Sequence, residues 1–304
     1  MQTAIIRFFN SISSPFLDIL GEAFSYLGEE TVFILIIAWM LWCGSKKQGY
    51  IICSTLFTSL TVMNIVKAIV RAPRPFQVLP EITGKRLATA TGYSFPSGHT
   101  TGAASFYSSL AVTARKQWLS LVCATAIVAV GLSRTYLGVH WPLDVFAGLV
   151  LGITMTITTS HMFGRLYDNP RHLIRTSWIA GSVGTLAALV LALLIQSDSI
   201  DPVAFTDLMK ILSLAGCGYL GFALDQQKIH YLTTGSLWVR ILRFVTGVVL
   251  VLLVMASKSI LPTHMVFSFF RYALVGLLVT VLYPWLGRHI RIAKGEYLFT
   301  PQVK

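Results

Sequence analysis

The sequence predicts an all-α polytopic membrane protein, a bundle of about nine transmembrane helices preceded by an interfacial helix. Hydrophobic residues make up 55% of the 304 positions and charged residues only 12%, whereas a soluble domain usually carries about 25% charge. The mean hydropathy is +0.70. Apolar runs recur along the chain at the length that a helix needs to cross a bilayer, about 20 residues.

The apolar runs that we assign as spanning helices are residues 28–44, 49–70, 98–114, 117–134, 143–164, 177–196, 206–225, 239–257 and 266–287. The N-terminal stretch differs, because polar residues such as Arg7, Asn10, Pro15 and Asp18 interrupt its apolar positions. This pattern predicts an amphipathic helix that lies in the interface rather than a signal peptide.

The net charge of +12 comes from basic residues scattered between the apolar runs. A nucleic-acid-binding protein would present them on one face of a soluble fold, so we predict no nucleic-acid partner. The four cysteines lie in apolar segments without the spacing of a metal site. We therefore predict neither a metal nor another cofactor.

The basic loops indicate an orientation. With nine spans, one side of the membrane receives Lys46, Lys47, Arg115, Lys116, Arg165, Arg171, Arg175, Lys228, Arg240, Arg243, Arg288, Arg291, Lys294 and Lys304. That side is predicted to be cytoplasmic. The polar motifs described next fall on the other side, so we expect an extracytoplasmic active face.

All of these motifs lie before a boundary near Tyr167–His172. We predict a membrane core over residues 1–166 and a C-terminal four-helix extension of unknown role over residues 171–304. The long polar segment between Ala72 and Phe95 joins two motifs, and loops of this length are usually functional or disordered. We expect it to form the rim of the site.

The first motif is Lys67-x6-Arg74-Pro75, with Arg71 between the two cations. The three cations would share one helix face if the helix ran far enough, although the prolines favour an end near Arg71. Cations at the end of a span also snorkel toward lipid headgroups, which is the alternative interpretation. The Arg-Pro pair favours an anion site, because a guanidinium matches phosphate oxygens.

The second motif, Pro96-Ser97-Gly98-His99, precedes a run of small residues. Ser97 is a favourable N-cap, and Gly98 allows a ligand to approach the backbone closely. A phosphate would then face the free N–H groups at the helix start, where His99 is placed to donate a proton to a leaving oxygen. The alternative is an ordinary capped helix with an interfacial histidine.

The third motif is Ser133-Arg134-x5-His140-x3-Asp144. Pro142 favours a helix start that places Asp144 about one turn beyond His140, on the same side. A carboxylate in that position fixes the imidazole tautomer, and a histidine can attack phosphorus as a nucleophile. The alternative is a capping aspartate beside a surface histidine.

Together, in this order and spacing, the three motifs resemble the three-part pattern of the type 2 phosphatidic acid phosphatase superfamily. The resemblance covers residues 1–165. It implies a metal-independent phosphatase in which His140 forms a phosphohistidine, Asp144 orients it and His99 protonates the leaving alcohol. It also implies that the phosphoryl oxygens are held by Lys67, Arg74, Ser97, Gly98 and Arg134.

The resulting hypothesis is an integral membrane enzyme that hydrolyses a lipid phosphate or lipid pyrophosphate. The sequence does not choose among phosphatidic acid, phosphatidylglycerophosphate, a polyprenyl pyrophosphate, a sphingolipid phosphate and a lipid A phosphate. It also does not determine the oligomeric state. A lipid phosphotransferase, and a lipid transporter or scaffold that uses the C-terminal spans, remain the alternatives.

Overall fold

The structure, a computed structural model, describes residues 1–260 and 264–289; these are mainly helical, and no β-strand is among them. The long helices are joined by short loops, apart from the segment between Val70 and Gly98. The helices are α1 (Gln2–Ser11), α2 (Pro15–Tyr26), α3 (Glu30–Cys43), α4 (Lys46–Val70), α5 (Pro75–Val78), α6 (Gly98–Ala114), α7 (Gln117–Tyr136), α8 (Pro142–Tyr167), α9 (Pro170–Gln196), α10 (Pro202–Leu224), α11 (Leu237–Ala256), α12 (Met265–Leu277) and α13 (Tyr283–His289).

The all-α polytopic class is confirmed, and a helix occupies each predicted apolar run, but the count of nine spans is not. Within the described residues, seven helices are long and apolar enough to span a membrane, or up to eight if α2 and α3 form one bent span. Helix α6 has only 17 residues. Its glycines, serines and threonines lower its hydropathy because they serve close packing rather than contact with lipid.

The N-terminal segment forms two helices, where the sequence predicted one. The break falls before Pro15, which occupies the first turn of α2, while the Ser14 side chain caps that helix by accepting a hydrogen bond from the Leu17 amide. Proline lacks an N–H donor and clashes with the preceding helical turn, so it starts a helix readily but rarely continues one.

The chain divides into two compact units. Unit 1 comprises Met1–Ile34, Ile51–Gly164 and Ser197–Leu208. Unit 2 comprises Leu35–Tyr50, Arg165–Gln196 and the described residues from Met209 onward. The predicted domain boundary between residues 166 and 171 stays a prediction.

Unit 1 is built around α6, which packs closely against α8. A Cβ atom added at Gly152 would lie 2.6 Å from the Ala104 Cβ and 2.7 Å from the Thr101 carbonyl oxygen. On another face of α6, the Ser105 and Ser59 hydroxyls are 2.8 Å apart and link α6 to α4. The small residues after the second motif therefore bring three helices together beside it.

Unit 2 also depends on small residues. Gly184 of α9 meets Gly216 of α10, where an added Cβ would lie 2.5 Å from the Thr185 backbone nitrogen. At the end of α10, the buried Asp225 carboxylate pairs with Lys46 and accepts a hydrogen bond from the Tyr231 amide. The predicted basic tail residues Arg291, Lys294 and Lys304 lie outside the described residues.

We predict that Gly152→Ala destabilises the protein by about 1–3 kcal/mol, the usual cost of overpacking a core. The added methyl group meets the backbone of α6, which cannot move aside. Thermal unfolding in detergent measures the effect. Gly164→Ala is the matched control, because its Cβ would make one ordinary contact, 3.6 Å from Ile51. Equal stability of the two variants would contradict the close packing of α6 and α8.

Candidate active site

The first motif lies at the end of α4 and the turn beyond it. Lys67 and Arg74 are buried, whereas Arg71 is exposed and has a left-handed backbone, with φ of 51°. The predicted helix end near Arg71 is confirmed, so the condition for a common face of all three cations is not met. The helix stops at Val70, so Arg71 turns away and only the other two cations enter the site.

Arg74 organises the polar segment that precedes the second motif. Its Nη2 donates to the carbonyl oxygens of Thr91 at 2.6 Å and Tyr93 at 3.4 Å, and its Nε donates to that of Gly92 at 3.1 Å. Its Nη1 donates to the carbonyl oxygen of Val139 at 2.9 Å. One buried side chain therefore connects the end of the polar segment to the loop that carries His140.

The second motif opens α6 as the sequence predicted. Ser97 is the N-cap, and its hydroxyl oxygen accepts hydrogen bonds from the Thr100 amide and hydroxyl. A Cβ added at Gly98 would lie 3.9 Å from the Lys67 Nζ, so the ammonium group approaches the start of the helix. The His99 Nε2 is buried and has no hydrogen-bond partner among the described residues.

The third motif brings His140 and Asp144 together. The His140 Nδ1 lies 3.4 Å from the Asp144 Oδ2, and both side chains are almost fully buried. The same Oδ2 accepts hydrogen bonds from the Trp141 amide, at 2.8 Å, and from the Ser94 hydroxyl. The carboxylate is therefore held in place by two donors besides the imidazole.

The contacts of His140 fix its tautomer. Its Nε2 lies 3.2 Å from the Arg74 Nη1, and an arginine side chain has only donors. The Nε2 must therefore accept, which leaves the proton on Nδ1, facing Asp144. This tautomer keeps the Nε2 lone pair available on the side of the cations.

The remaining cation, Arg134, is fully buried near the end of α7. Its Nη1 donates to the Ser25 hydroxyl of α2 at 2.6 Å, but its Nε and Nη2 have no partner among the described residues. Buried donors are rarely left without a partner, and each costs about 1–3 kcal/mol. Such donors mark a place where an anion can bind.

The charges around His140 keep its imidazole neutral. Burial lowers the pKa of His140 well below its ordinary value, and the nearby positive charges of Arg74, Arg134 and Lys67 lower it further. A neutral imidazole has a free lone pair, so it can act as a nucleophile at neutral pH. The structure thus brings together, in unit 1, the site residues that the sequence predicted.

Comparison with known families agrees with this geometry. A model of the PAP2 superfamily matches residues 48–168, and a model described as "PAP2 superfamily phosphatase, transmembrane extension" matches residues 210–295. The two matches together cover more than half of the chain. The chain belongs to the PAP2 superfamily. The predicted resemblance to the type 2 phosphatidic acid phosphatase superfamily is confirmed.

Individual relatives carry several lipid-related names. A protein of Dictyostelium discoideum named "Probable sphingosine-1-phosphate phosphatase" is 31% identical over 53% of this chain and 42% of its own length. An undecaprenyl-diphosphatase of Sulfolobus acidocaldarius is 33% identical over 42% of this chain and 62% of its own length. The chain thus spans less than two thirds of either relative.

Among solved structures, the chain is similar to the crystal structure of Aquifex aeolicus LpxE. The two share 28% sequence identity, with a TM-score of 0.45. The similar region covers 51% of this chain and 92% of that one.

Several residues of this PAP2 site were not predicted. Ser94, which holds Asp144, lies two residues before the Pro96-Ser97-Gly98-His99 motif, so its position was the available signal. Ser25 gives no such signal, because it lies far from the motifs in the sequence. Asp201 and Asp207 lie more than a hundred residues beyond Tyr93 and Thr91 in the sequence, yet they accept hydrogen bonds from these two residues.

No group of three or more His, Cys, Asp or Glu side chains that could hold a metal ion occurs within residues 1–260 and 264–289. The donors that do converge near His140 are cationic N–H groups. The chemistry of this donor set suits an oxyanion, which a guanidinium binds through its N–H groups.

We predict that inorganic phosphate raises the melting temperature of the protein in detergent, because a ligand of the native state stabilises it. Arg134→Gln should weaken the apparent affinity about tenfold or more, the usual value of a hydrogen bond to a charged group. Arg71→Gln is the matched control, since Arg71 is exposed. An unchanged phosphate response in Arg134→Gln would contradict anion binding by its unpartnered nitrogens.

Proposed function

We propose that the protein is a metal-independent lipid phosphatase that works through a phosphohistidine on His140. The observation that carries this proposal is the position of the His140 Nε2. It accepts from Arg74, while the Nδ1 faces a carboxylate that Ser94 and the Trp141 amide hold in place. A nucleophile of this kind beside unpartnered cationic donors suits a phosphoryl group.

In the first step, the phosphate binds to Lys67, Arg74, Arg134 and the start of α6 at Ser97 and Gly98. Arg74 then donates to a phosphoryl oxygen instead of to the His140 Nε2, which exposes the lone pair. The Nε2–phosphorus bond forms as the bond from phosphorus to the lipid oxygen breaks. The negative charge of the bound phosphate favours the protonated form of His99, which donates its proton to that leaving oxygen.

In the second step, a water molecule attacks the phosphohistidine. His99, now neutral, takes a proton from the water, and the Nε2–phosphorus bond breaks. The products are inorganic phosphate and a restored imidazole. Asp144 stays ionised and stabilises the positive charge that His140 carries while it is phosphorylated.

A groove beside the site supports a lipid substrate. It has a volume of about 530 Å³ and is mostly apolar, and Asp144 forms part of its wall. Its lining residues are Gln2, Thr3, Val70, Ala72, Phe95, Trp141, Leu143 and Asp144. A hydrocarbon chain in this groove would place a headgroup phosphate next to His140, and the names of the relatives agree with this substrate class.

The position of the site along α7 supports an extracytoplasmic active face. His140 follows the C-terminal end of this helix, whereas Arg115 and Lys116 precede its N-terminal end. A helix of 20 residues is about 30 Å long, so the basic pair and the site lie at opposite ends of one span. The positive-inside rule then assigns the basic end to the cytoplasm.

We expect the purified protein to release inorganic phosphate, in the presence of EDTA, from at least one of the five candidate lipids. His140→Asn and Asp144→Asn should lower that rate by about a thousandfold or more, because the nucleophile or its orienting group is lost. His161→Asn, an exposed histidine of α8, is the matched control.

Three outcomes would contradict parts of this proposal. Wild-type turnover in His140→Asn would contradict the phosphohistidine intermediate. If EDTA abolished the activity and magnesium or zinc restored it, metal independence would be contradicted. Transfer of phosphate to an added alcohol instead of water would identify the phosphotransferase alternative.

The roles of His99 and His140 can be distinguished with substrates that differ in their leaving group. The leaving group of an aryl phosphate departs with little protonation, whereas the alcohol of a lipid phosphate must be protonated as it departs. His99→Ala should therefore lose far less activity on an aryl phosphate than on a lipid phosphate, while His140→Ala abolishes both. Initial rates on the two substrates measure this difference. Equal losses for both variants on both substrates would contradict the assigned roles.

A further inference from the structure

The polar segment before the second motif is held from its outer side by two aspartates. The Thr91 hydroxyl donates to the Asp207 Oδ2 at 2.6 Å, and the Tyr93 hydroxyl donates to the Asp201 Oδ2 at 2.8 Å. Both aspartates belong to unit 1 but lie more than a hundred residues further along the chain. They fall between the segments that the two family models match.

The start of α10 fixes these aspartates. Asp201 immediately precedes α10, and its Oδ1 accepts a hydrogen bond from the Val203 amide at 2.9 Å. The Tyr93 hydroxyl and that amide lower the pKa of Asp201, so it stays ionised as an acceptor. Asp207 lies in the second turn of the same helix. The two acceptors are thus carried by one rigid element.

Between the two hydroxyl contacts, Gly92 lies against α10. Its φ is +66°, a conformation that favours glycine. A Cβ added there would lie 3.4 Å from the Val203 carbonyl oxygen, 3.6 Å from the Asp207 Oδ2 and 3.9 Å from the Lys67 Nζ. The backbone at residue 92 therefore fits between α10 and a cation of the phosphate site.

The inner side of the same three residues faces Arg74. Their three carbonyl oxygens accept from its Nε and Nη2, which leaves Nη1 for Val139 and His140. The direction of the guanidinium plane is therefore set by where residues 91–93 lie. Only the Nη1 N–H that now faces His140 can then turn to a phosphate, and a single donor binds well only when it is aimed correctly.

We propose that Asp207 and Asp201 are positioning residues: through Thr91 and Tyr93 they hold residues 91–93 and thereby aim Arg74 at the substrate phosphate. The proposal rests on the function proposed above, in which Arg74 binds that phosphate. The aspartates touch neither the substrate nor the reacting atoms. They act by fixing an arginine that would otherwise lose conformational freedom each time a substrate binds.

The test compares variants that remove one hydrogen bond at a time. Thr91→Val keeps the shape of the side chain and removes only its hydroxyl, and Asp207→Ala removes the acceptor. Each should raise KM and the inhibition constant for inorganic phosphate about tenfold, near the lower end of the range for a hydrogen bond to a charged group. Their melting temperatures without phosphate should stay close to that of the wild type.

The double variant and the control make the test specific. Thr91→Val with Asp207→Ala should be no worse than Asp207→Ala alone, because that single change already removes the contact with Thr91. Asp207→Asn keeps an acceptor oxygen and should remain within about threefold of the wild type. Tyr93→Phe should weaken phosphate binding in the same way as Thr91→Val. Asp198→Asn, which removes a charge three residues before Asp201 that makes no hydrogen bond to residues 91–93, should change nothing.

Additive losses in the double variant, or a loss in Asp207→Asn as large as in Asp207→Ala, would overturn the positioning role. The shift in melting temperature that inorganic phosphate produces can be measured without turnover. It therefore distinguishes a failure of the positioning role from a failure of the proposed function. If no lipid is hydrolysed but Thr91→Val still weakens the phosphate shift, the phosphatase proposal fails and the positioning role stands. If lipids are hydrolysed and Thr91→Val binds phosphate as well as Asp198→Asn does, only the positioning role fails.

Discussion

The site depends on the burial of one guanidinium, that of Arg74. Placing a charge in a membrane protein interior is costly unless every donor finds an acceptor. Arg74 meets this requirement through the carbonyl oxygens of residues 91–93 and of Val139, and through the His140 ring. These contacts join segments that are distant in the sequence, so satisfying the charge also assembles the wall of the pocket.

The opposite condition holds at Arg134 and His99, where buried nitrogens have no partner among the described residues. The fold thus stabilises one cation fully and leaves donors of its neighbours unused. In the proposed mechanism, an oxyanion that enters the pocket supplies the acceptors missing at Arg134 and His99, and only the Arg74–His140 hydrogen bond has to open. Preorganised donors of this kind stabilise charge at a reacting centre more effectively than donors that must first be oriented.

Sequence reasoning succeeded where the physical cause is local. Apolar runs predicted the long helices within a few residues, except that α9 begins at Pro170 rather than at residue 177. The spacing from His140 to Asp144 predicted their contact because one helical turn sets it. It failed where a cause is distant or a local rule is overridden. Pro15 splits the N-terminal segment into two helices. Arg71 has a left-handed backbone and turns away from the site. The hydrogen-bond partner of Arg134 is Ser25, which comes from α2.

The aspartates at the start of α10 are the clearest case of a distant cause. In the sequence they form an acidic loop inside an extension with no catalytic pattern, and only the fold brings them to Thr91 and Tyr93. Unit 1 therefore takes in residues 197–208 after the chain has left it at Gly164. A catalytic core cut at residue 166 would keep all three motifs but lose these acceptors. If residues 91–93 aim Arg74 as proposed, the segment that returns to unit 1 is part of what shapes the proposed phosphate site.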